Sequence, residues 1–221
     1  MKYGESVFDI GYLAFAIISG CIILKTNNNK AAKLMGIAVL ILGIGDSFHL
    51  IPRVLNYFTD LDMNAALGIG KLITSLTMTA FYYILYRIWL ILYDRNENKN
   101  LTLIVYILII ARIALCLFPQ NRWITNEGSV LWGILRNIPF MILGGIVCYL
   151  YFSERMQIDK FKYLWLYILL SFLFYIPVAF FASIIPMFGM LMLPKTICYI
   201  LMIYAFLKYT KQDRLSDVKR I

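Results

Sequence analysis

Ile51-Pro52 followed by Lys71, and Ile176-Pro177 followed by Lys195, are two stretches that read alike, each lysine standing inside an apolar run. A shift of 125 residues carries Pro52 onto Pro177, and one of 124 carries Lys71 onto Lys195, so nearly one displacement superimposes both landmarks. The pattern predicts a duplicated membrane unit with a buried cation in each copy. An ionisable group inside a bilayer costs about 2.5–3.5 kcal/mol on insertion scales and by default marks a functional position.

Around these landmarks, 62% of the 221 residues are hydrophobic and 15% are charged, against roughly 25% charged in an average soluble domain. A soluble fold of this length lacks the interior to hide so much apolar surface. Seven apolar segments can be drawn, at about 6–24, 34–55, 65–92, 101–118, 129–151, 163–185 and 187–207, most of them near the ~20 residues that span a bilayer as a helix. The last two nearly merge, and Pro186 and Gly189 divide them because the joined run is far too long for one span. The expected fold class is therefore an all-α integral membrane protein with seven transmembrane helices. The first run ends in Lys25 and a polar Asn27-Asn28-Asn29 turn, with no small-residue cleavage site, and reads as a retained helix. Cys21, Cys116, Cys148 and Cys198 all lie in apolar segments without a CxxC pair. They read as small packing residues, and neither a disulfide framework nor a metal site is expected.

The formal charge of +9 would suit nucleic acid, but the basic residues alternate between connections instead of collecting in one domain. Lys25, Lys30, Lys33, Arg95, Lys99, Arg155, Lys160, Lys162, Lys208, Lys211, Arg214, Lys219 and Arg220 fall on one side, and Lys2, Arg53 and Arg122 on the other. Because lysine and arginine in short loops stay cytoplasmic, the N-terminus is expected outside and the C-terminus inside a cell membrane. The partners expected are membrane lipids and a small anionic ligand, not DNA or RNA; the basic tail suits anionic inner-leaflet lipid.

With seven helices and a shift near 125, helices 1–3 fall on helices 5–7 and helix 4 remains as a linker. This predicts a 3+1+3 arrangement of two parallel triple-helix repeats: residues 1–92, a linker at 93–128, residues 129–208, and a basic cytoplasmic tail at 209–221. Gly20 aligns with Gly145, and Ser6-Val7 lies near Ser129-Val130. The layout resembles the three-plus-one-plus-three plan of the sugar and PQ-loop transporters and of the receptor that retrieves escaped endoplasmic-reticulum proteins. Pro119-Gln120 stands at the outer end of helix 4, not in the first helix of a repeat, so the resemblance is one of architecture and implies no membership.

Helix 2 reads Gly45-Asp46-Ser47-Phe48-His49-Leu50-Ile51-Pro52-Arg53, which puts Asp46, His49 and Arg53 on one helical face. Pro52 is expected to kink or end that helix and to expose carbonyls. Lys71, followed by Thr74, Ser75 and Met78, stands about two turns into helix 3. Lys195 follows Pro194 at a similar depth in helix 7, Arg112 lies towards the outer end of helix 4, and Arg136-Asn137 precedes Pro139 in helix 5. Arg87 lies near the cytoplasmic end of helix 3, where it can snorkel. Lys71, Arg112, Arg136, Lys195 and Arg53 thus share the outer half of the membrane with Asp46, Asp9 and Glu5, leaving positive charge in surplus even if every acid is paired. That surplus has to meet carbonyls, water, a deprotonated lysine or an external anion. In the competing reading the same charges form a closed hydrogen-bonded scaffold with one lysine neutral.

Three chemistries bear on these residues. Gly45-Asp46-Ser47-Phe48-His49 is similar to stretches of membrane hydrolases that bind zinc through several histidines, but His49 is the one histidine here, so no metal and no cofactor are expected. Gly45-Asp46 through Pro52 also resembles a motif of lysoplasmalogenase membrane enzymes, whose later acidic motif is missing. A lysine in the seventh helix resembles microbial rhodopsins, where it holds retinal; here Leu191 stands where that family has an aspartate one turn earlier. Tyr3, Trp89, Tyr93, Trp123, Trp132, Tyr163 and Trp165 near segment ends suit interfacial anchoring. The function expected is binding or transport of a small anionic solute or lipid head group in an outward-facing cationic cavity. Lys71, Lys195, Arg112 and Arg136 would carry the ligand, with Asp46, His49 and Arg53 beside them. A lipid-modifying enzyme and a seven-helix sensor or structural protein are the alternatives, and non-enzymatic action is the preferred reading.

Overall fold

The computed structural model describes residues 2–26, 29–182 and 185–218, and all regular structure among the described residues is helical. Seven α-helices follow one another: α1 Lys2–Thr26, α2 Lys30–Phe58, α3 Asn64–Leu92, α4 Lys99–Leu117, α5 Val130–Ser153, α6 Leu164–Phe181 and α7 Met192–Val218. Seven helical stretches are long and apolar enough to cross a membrane, as fits a multi-pass membrane protein. Short 3₁₀ turns occupy Pro119–Asn121, Asp159–Phe161 and Pro186–Leu191. Polar caps set the starts of two helices: Asn29 accepts from the Ala31 amide at 3.0 Å, and Asn98 from the Asn100 amide at 3.0 Å.

The helices depart from the apolar segments in ways the backbone explains. α2 runs six residues past Pro52, to Phe58. A proline inside a helix leaves the carbonyl four residues earlier without its donor, here that of Phe48. Gly70 of α3 lies directly against that carbonyl, where a Cβ would collide with it, so α2 and α3 pack backbone to backbone at the kink. The apolar run after α6 leaves the helix after Phe181 and re-enters one at Met192, with the 3₁₀ turn between. At the C-terminus α7 continues to Val218, well into the polar tail. Asn27, Asn28, Lys219 and Arg220 lie outside the described residues.

Packing follows a ring. α1 lies against α2, α2 against α3, α3 against α5, α5 against α6, α6 against α7, and α7 returns to α1, while α4 covers the α3–α5 seam. Buried aromatic rings fill the middle: Tyr82 meets Phe140 and Phe172, each at 5.2 Å between centroids, and Phe81 meets Tyr199 at 6.1 Å. The Tyr82 hydroxyl is satisfied by Ser171 at 3.2 Å. Towards the end with the α3–α4 and α5–α6 connections, Trp89 donates to the Leu150 carbonyl at 3.0 Å and Tyr151 to that of Leu85 at 3.0 Å. That end is sealed by Trp89, Tyr151 and Phe161, all buried.

The other end is open. In α2 the buried residues run from Ala31 to Gly45, and in α6 from Leu164 to Phe172; beyond those points neither helix buries a residue. The unburied parts carry Pro52 and Pro177. Both helices are therefore only partly covered over the same stretch, at the end that holds the α2–α3, α4–α5 and α6–α7 connections.

Candidate functional site

At this end lies a cavity of about 510 Å³. Its wall includes His49 and Arg53 from α2, Lys71 from α3, Arg112 from α4, Arg136 from α5 and Lys195 from α7. Six of the seven residues singled out from the sequence thus meet on one surface, although they come from five helices. Among the described residues of that wall, no aspartate or glutamate occurs. Asp46 stands off it, accepting a hydrogen bond from the Tyr12 hydroxyl of α1 at 2.7 Å.

Each cation is held differently. Arg112, 1% exposed, donates through Nη1 to the Arg136 carbonyl at 2.8 Å and to Asn137 Oδ1 at 3.0 Å, and lies 4.0 Å from the Phe140 ring centre. Its Nε reaches the Ser75 carbonyl at 3.5 Å. The Arg136 guanidinium donates to Asn121 Oδ1 at 2.6 Å and lies 4.5 Å from the ring of Trp123. Lys71, at the exposed rim, donates to Asn126 Oδ1 at 2.7 Å. Arg53 has a carboxylate partner, Glu5 of α1, and Tyr57 joins that pair by donating to Glu5 at 3.1 Å. Asp46 and Arg53 therefore pair with α1 instead of with each other along α2, contrary to the local pairing their spacing also allows.

Lys195 is the exception. It is 7% exposed, yet among the described residues its ammonium finds no hydrogen-bond acceptor. It faces the rings of Tyr199 at 4.8 Å and Tyr175 at 5.2 Å. The carboxylate of Asp46, on α2, attracts it electrostatically. Ion pairs among the described residues are Arg53–Glu5, Arg87–Glu97 and Arg95–Glu154. Arg112 and Arg136 spend only part of their five N–H donors each, and on neutral oxygens, which do not cancel charge. Four cations on the cavity wall, Lys71, Arg112, Arg136 and Lys195, therefore lack an ion-pair partner among the described residues.

The supporting groups are ones the sequence did not single out. Asn137 accepts from both Arg112 and Tyr175, the latter at 2.8 Å, and so ties α4, α5 and α6 together. Asn121, buried, donates to the Leu115 carbonyl at 2.8 Å and holds the end of α4. Trp123, read as an interfacial anchor, lies under Arg136 and donates to the Cys116 carbonyl at 2.8 Å. Gly68 makes this possible: the Trp123 carbonyl sits where a Cβ would project, so the α4–α5 connection closes onto α3. Adjacency to Arg136 was the one available signal for Asn137; nothing in the chain distinguishes Tyr175 from the other tyrosines. Of the cysteines, Cys116 and Cys198 are buried in packing roles, whereas Cys21 is exposed on the outside of α1. No cluster of three or more metal-ligating side chains occurs among the described residues. Comparison with protein-family models, with curated proteins and with solved structures found no match to this chain.

Proposed function

We propose that the protein binds, and in the membrane transports, a small anionic solute or lipid head group in this cavity. The observation that carries the reading is Lys195: a lysine 7% exposed whose ammonium has no acceptor among the described residues, on a wall with four other cations and, among those residues, no carboxylate. An unpaired buried charge is costly, and a bound anion offsets that cost. Lys195 and Arg112 would hold the ligand in the depth, Lys71 would meet it at the rim, and Arg136 would add charge from α5. In this conformation the aromatic layer of Tyr82, Phe140 and Phe172 closes the floor, which suits a state open to one side only.

The membrane sidedness is part of the proposal. The open end is taken as the outer face, because the connections of the opposite end carry the basic residues. The repeat is proposed likewise. Exchanging α1–α2–α3 with α5–α6–α7 leaves the order of neighbours around the ring unchanged, with α3–α5 trading places with α7–α1. The loss of full burial along the last part of α2 and of α6, each with its proline, obeys the same exchange.

Thermal unfolding of the purified protein in neutral detergent tests the reading. Phosphate, sulfate, acetate and chloride are compared at matched ionic strength. A saturable stabilisation by a subset of anions is expected, about 2.7 kcal/mol at 100 times the dissociation constant. If melting tracks ionic strength alone, whatever the anion, the cavity is not an anion site.

A further inference from the structure

The cavity's charges are not spread evenly. Cations reach it from α2, α3, α4, α5 and α7, whereas α6 contributes Tyr175, Val178 and Ala179, with Ala182 capping its end. The Tyr175 hydroxyl is spent on Asn137, so what α6 offers is hydrocarbon and the face of a phenol ring. Met192, at the start of α7, continues that surface. The cavity thus has a cationic side and an apolar side. At about 510 Å³ it falls in the ~300–1,000 Å³ range of sites for organic ligands, far more than a bare inorganic anion fills. Such an anion would leave the α6 wall facing water and unused.

We propose that the ligand is an amphiphilic anion, a phosphate-like head on an apolar chain, with the head against Lys195 and Arg112 and the chain along the inner face of α6. This rests on the anion-binding reading above and adds the other half of the ligand. Several cations without ion-pair partners favour a head with more than one negative charge, and the guanidinium of Arg112 suits phosphate oxygens. The chain lies close to the bilayer: beyond Phe172 no residue of α6 is buried, and Leu173 and Phe181 are exposed on its outer side. The ligand can therefore be a lipid of the surrounding membrane or a water-borne molecule of the same chemistry.

The test uses the full chain in discs of phosphatidylcholine, titrated with inorganic phosphate, methyl phosphate, propyl phosphate and hexyl phosphate, with thermal unfolding as the readout. Affinity is expected to rise with chain length by about twofold to fourfold per methylene, fourfold being full burial of each CH₂. Ala179→Leu and Ala182→Leu, each narrowing the apolar side, should flatten that rise and leave inorganic phosphate binding as it was. Two substitutions are used so that one misfolded variant does not decide the matter. Displacement of hexyl phosphate by phosphatidate placed in the disc identifies the membrane as the source. Failure to displace, with the chain-length rise intact, identifies a water-borne amphiphile; both outcomes support the proposal. Equal binding of inorganic, methyl and hexyl phosphate overturns it while leaving the anion site standing, and so does a rise that neither alanine variant alters, because that reflects partition into the lipid. If no phosphate stabilises the parent protein, the anion-binding reading itself fails.

Discussion

Replacing Lys195 by methionine separates a ligand-binding charge from a structural one. The change keeps length and apolarity and removes the ammonium. Because that ammonium makes no hydrogen bond among the described residues, the folded state loses its contacts with the rings of Tyr175 and Tyr199 and its attraction to Asp46. Two cation–π contacts are worth about 0.5–2 kcal/mol each, depending on desolvation. Against this, the variant no longer holds a charge in apolar surroundings, a relief of about 2.5–3.5 kcal/mol. These opposing effects nearly cancel, so without ligand the variant should melt within about 2 kcal/mol of the parent. The ligand side is not balanced in this way. A unit charge about 4 Å from an anion contributes up to ~4 kcal/mol at an effective dielectric of 20, and the remaining cations and water reduce this, so a loss of about 100-fold in affinity is a fair expectation. At a concentration that stabilises the parent by about 2.7 kcal/mol, the variant would then gain only about 0.4 kcal/mol. Parallel melting curves with and without phosphate read both quantities. Retention of the full anion-dependent shift refutes the argument. So does a variant that fails to fold beside a parent that no anion stabilises, since the lysine would then be part of a scaffold.

The remaining expectations concern the fold and its sidedness. Single cysteines placed at Asp60 or Asn126 in a cysteine-free background should react with an impermeant reagent in intact cells, and one at Asn98 should not; labelling of Asn98 alone would reverse the orientation. Gly70→Ala puts a methyl group against the Phe48 carbonyl and should destabilise the protein by about 1–3 kcal/mol in thermal unfolding; unchanged stability would mean that α2 and α3 separate easily at the Pro52 kink. Asp46→Asn keeps an acceptor for Tyr12 but removes the carboxylate that attracts Lys195, lowering stability without ligand by roughly 1–2 kcal/mol. A stabilised variant would show that burying the Asp46 carboxylate costs more than its attraction to Lys195 returns.

The helices were legible because a lipid-facing helix has to be apolar over its whole crossing, and every segment drawn from the sequence overlaps one helix of the structure. Their ends were not legible. α7 continues to Val218 because a solvated helix needs no apolar run, whereas the break between α6 and α7 was legible from Pro186 and Gly189, which fall in the 3₁₀ turn. Pro52 shows why a proline rule alone does not decide a boundary: Gly70, 22 residues on from Phe48, lies against the freed Phe48 carbonyl, and the helix goes on. Gly20 and Gly145, aligned by the proposed shift, sit differently, one against Leu40 and the other facing open space. Charged site residues stood out because ionisable groups are rare in spans. Their partners did not, because Asn121, Asn137 and Tyr175 are polar groups of ordinary kinds whose importance depends on which helix they face.

The competition between scaffold and ligand site takes a different form once each cation's surroundings are known. Arg112 and Arg136 are bound through forked guanidinium donors to carbonyls and amide oxygens on α3, α5 and the α4–α5 connection, an arrangement a lysine could not copy. They hold the wall in place, and because their acceptors are neutral they still project positive charge into it. Lys195 contributes nothing comparable to the fold, since it ties no two helices together by a hydrogen bond among the described residues. Its four-carbon stem lets the ammonium leave the tyrosine rings for a better partner without breaking any such bond. Under the proposed function, scaffold and site would be two properties of one cluster: the hydrogen-bonded arginines fix the shape and the field, and Lys195, without an acceptor among the described residues, is left to meet the anion. On this division a change at Arg112 should alter folding and binding together, whereas a change at Lys195 should alter binding alone.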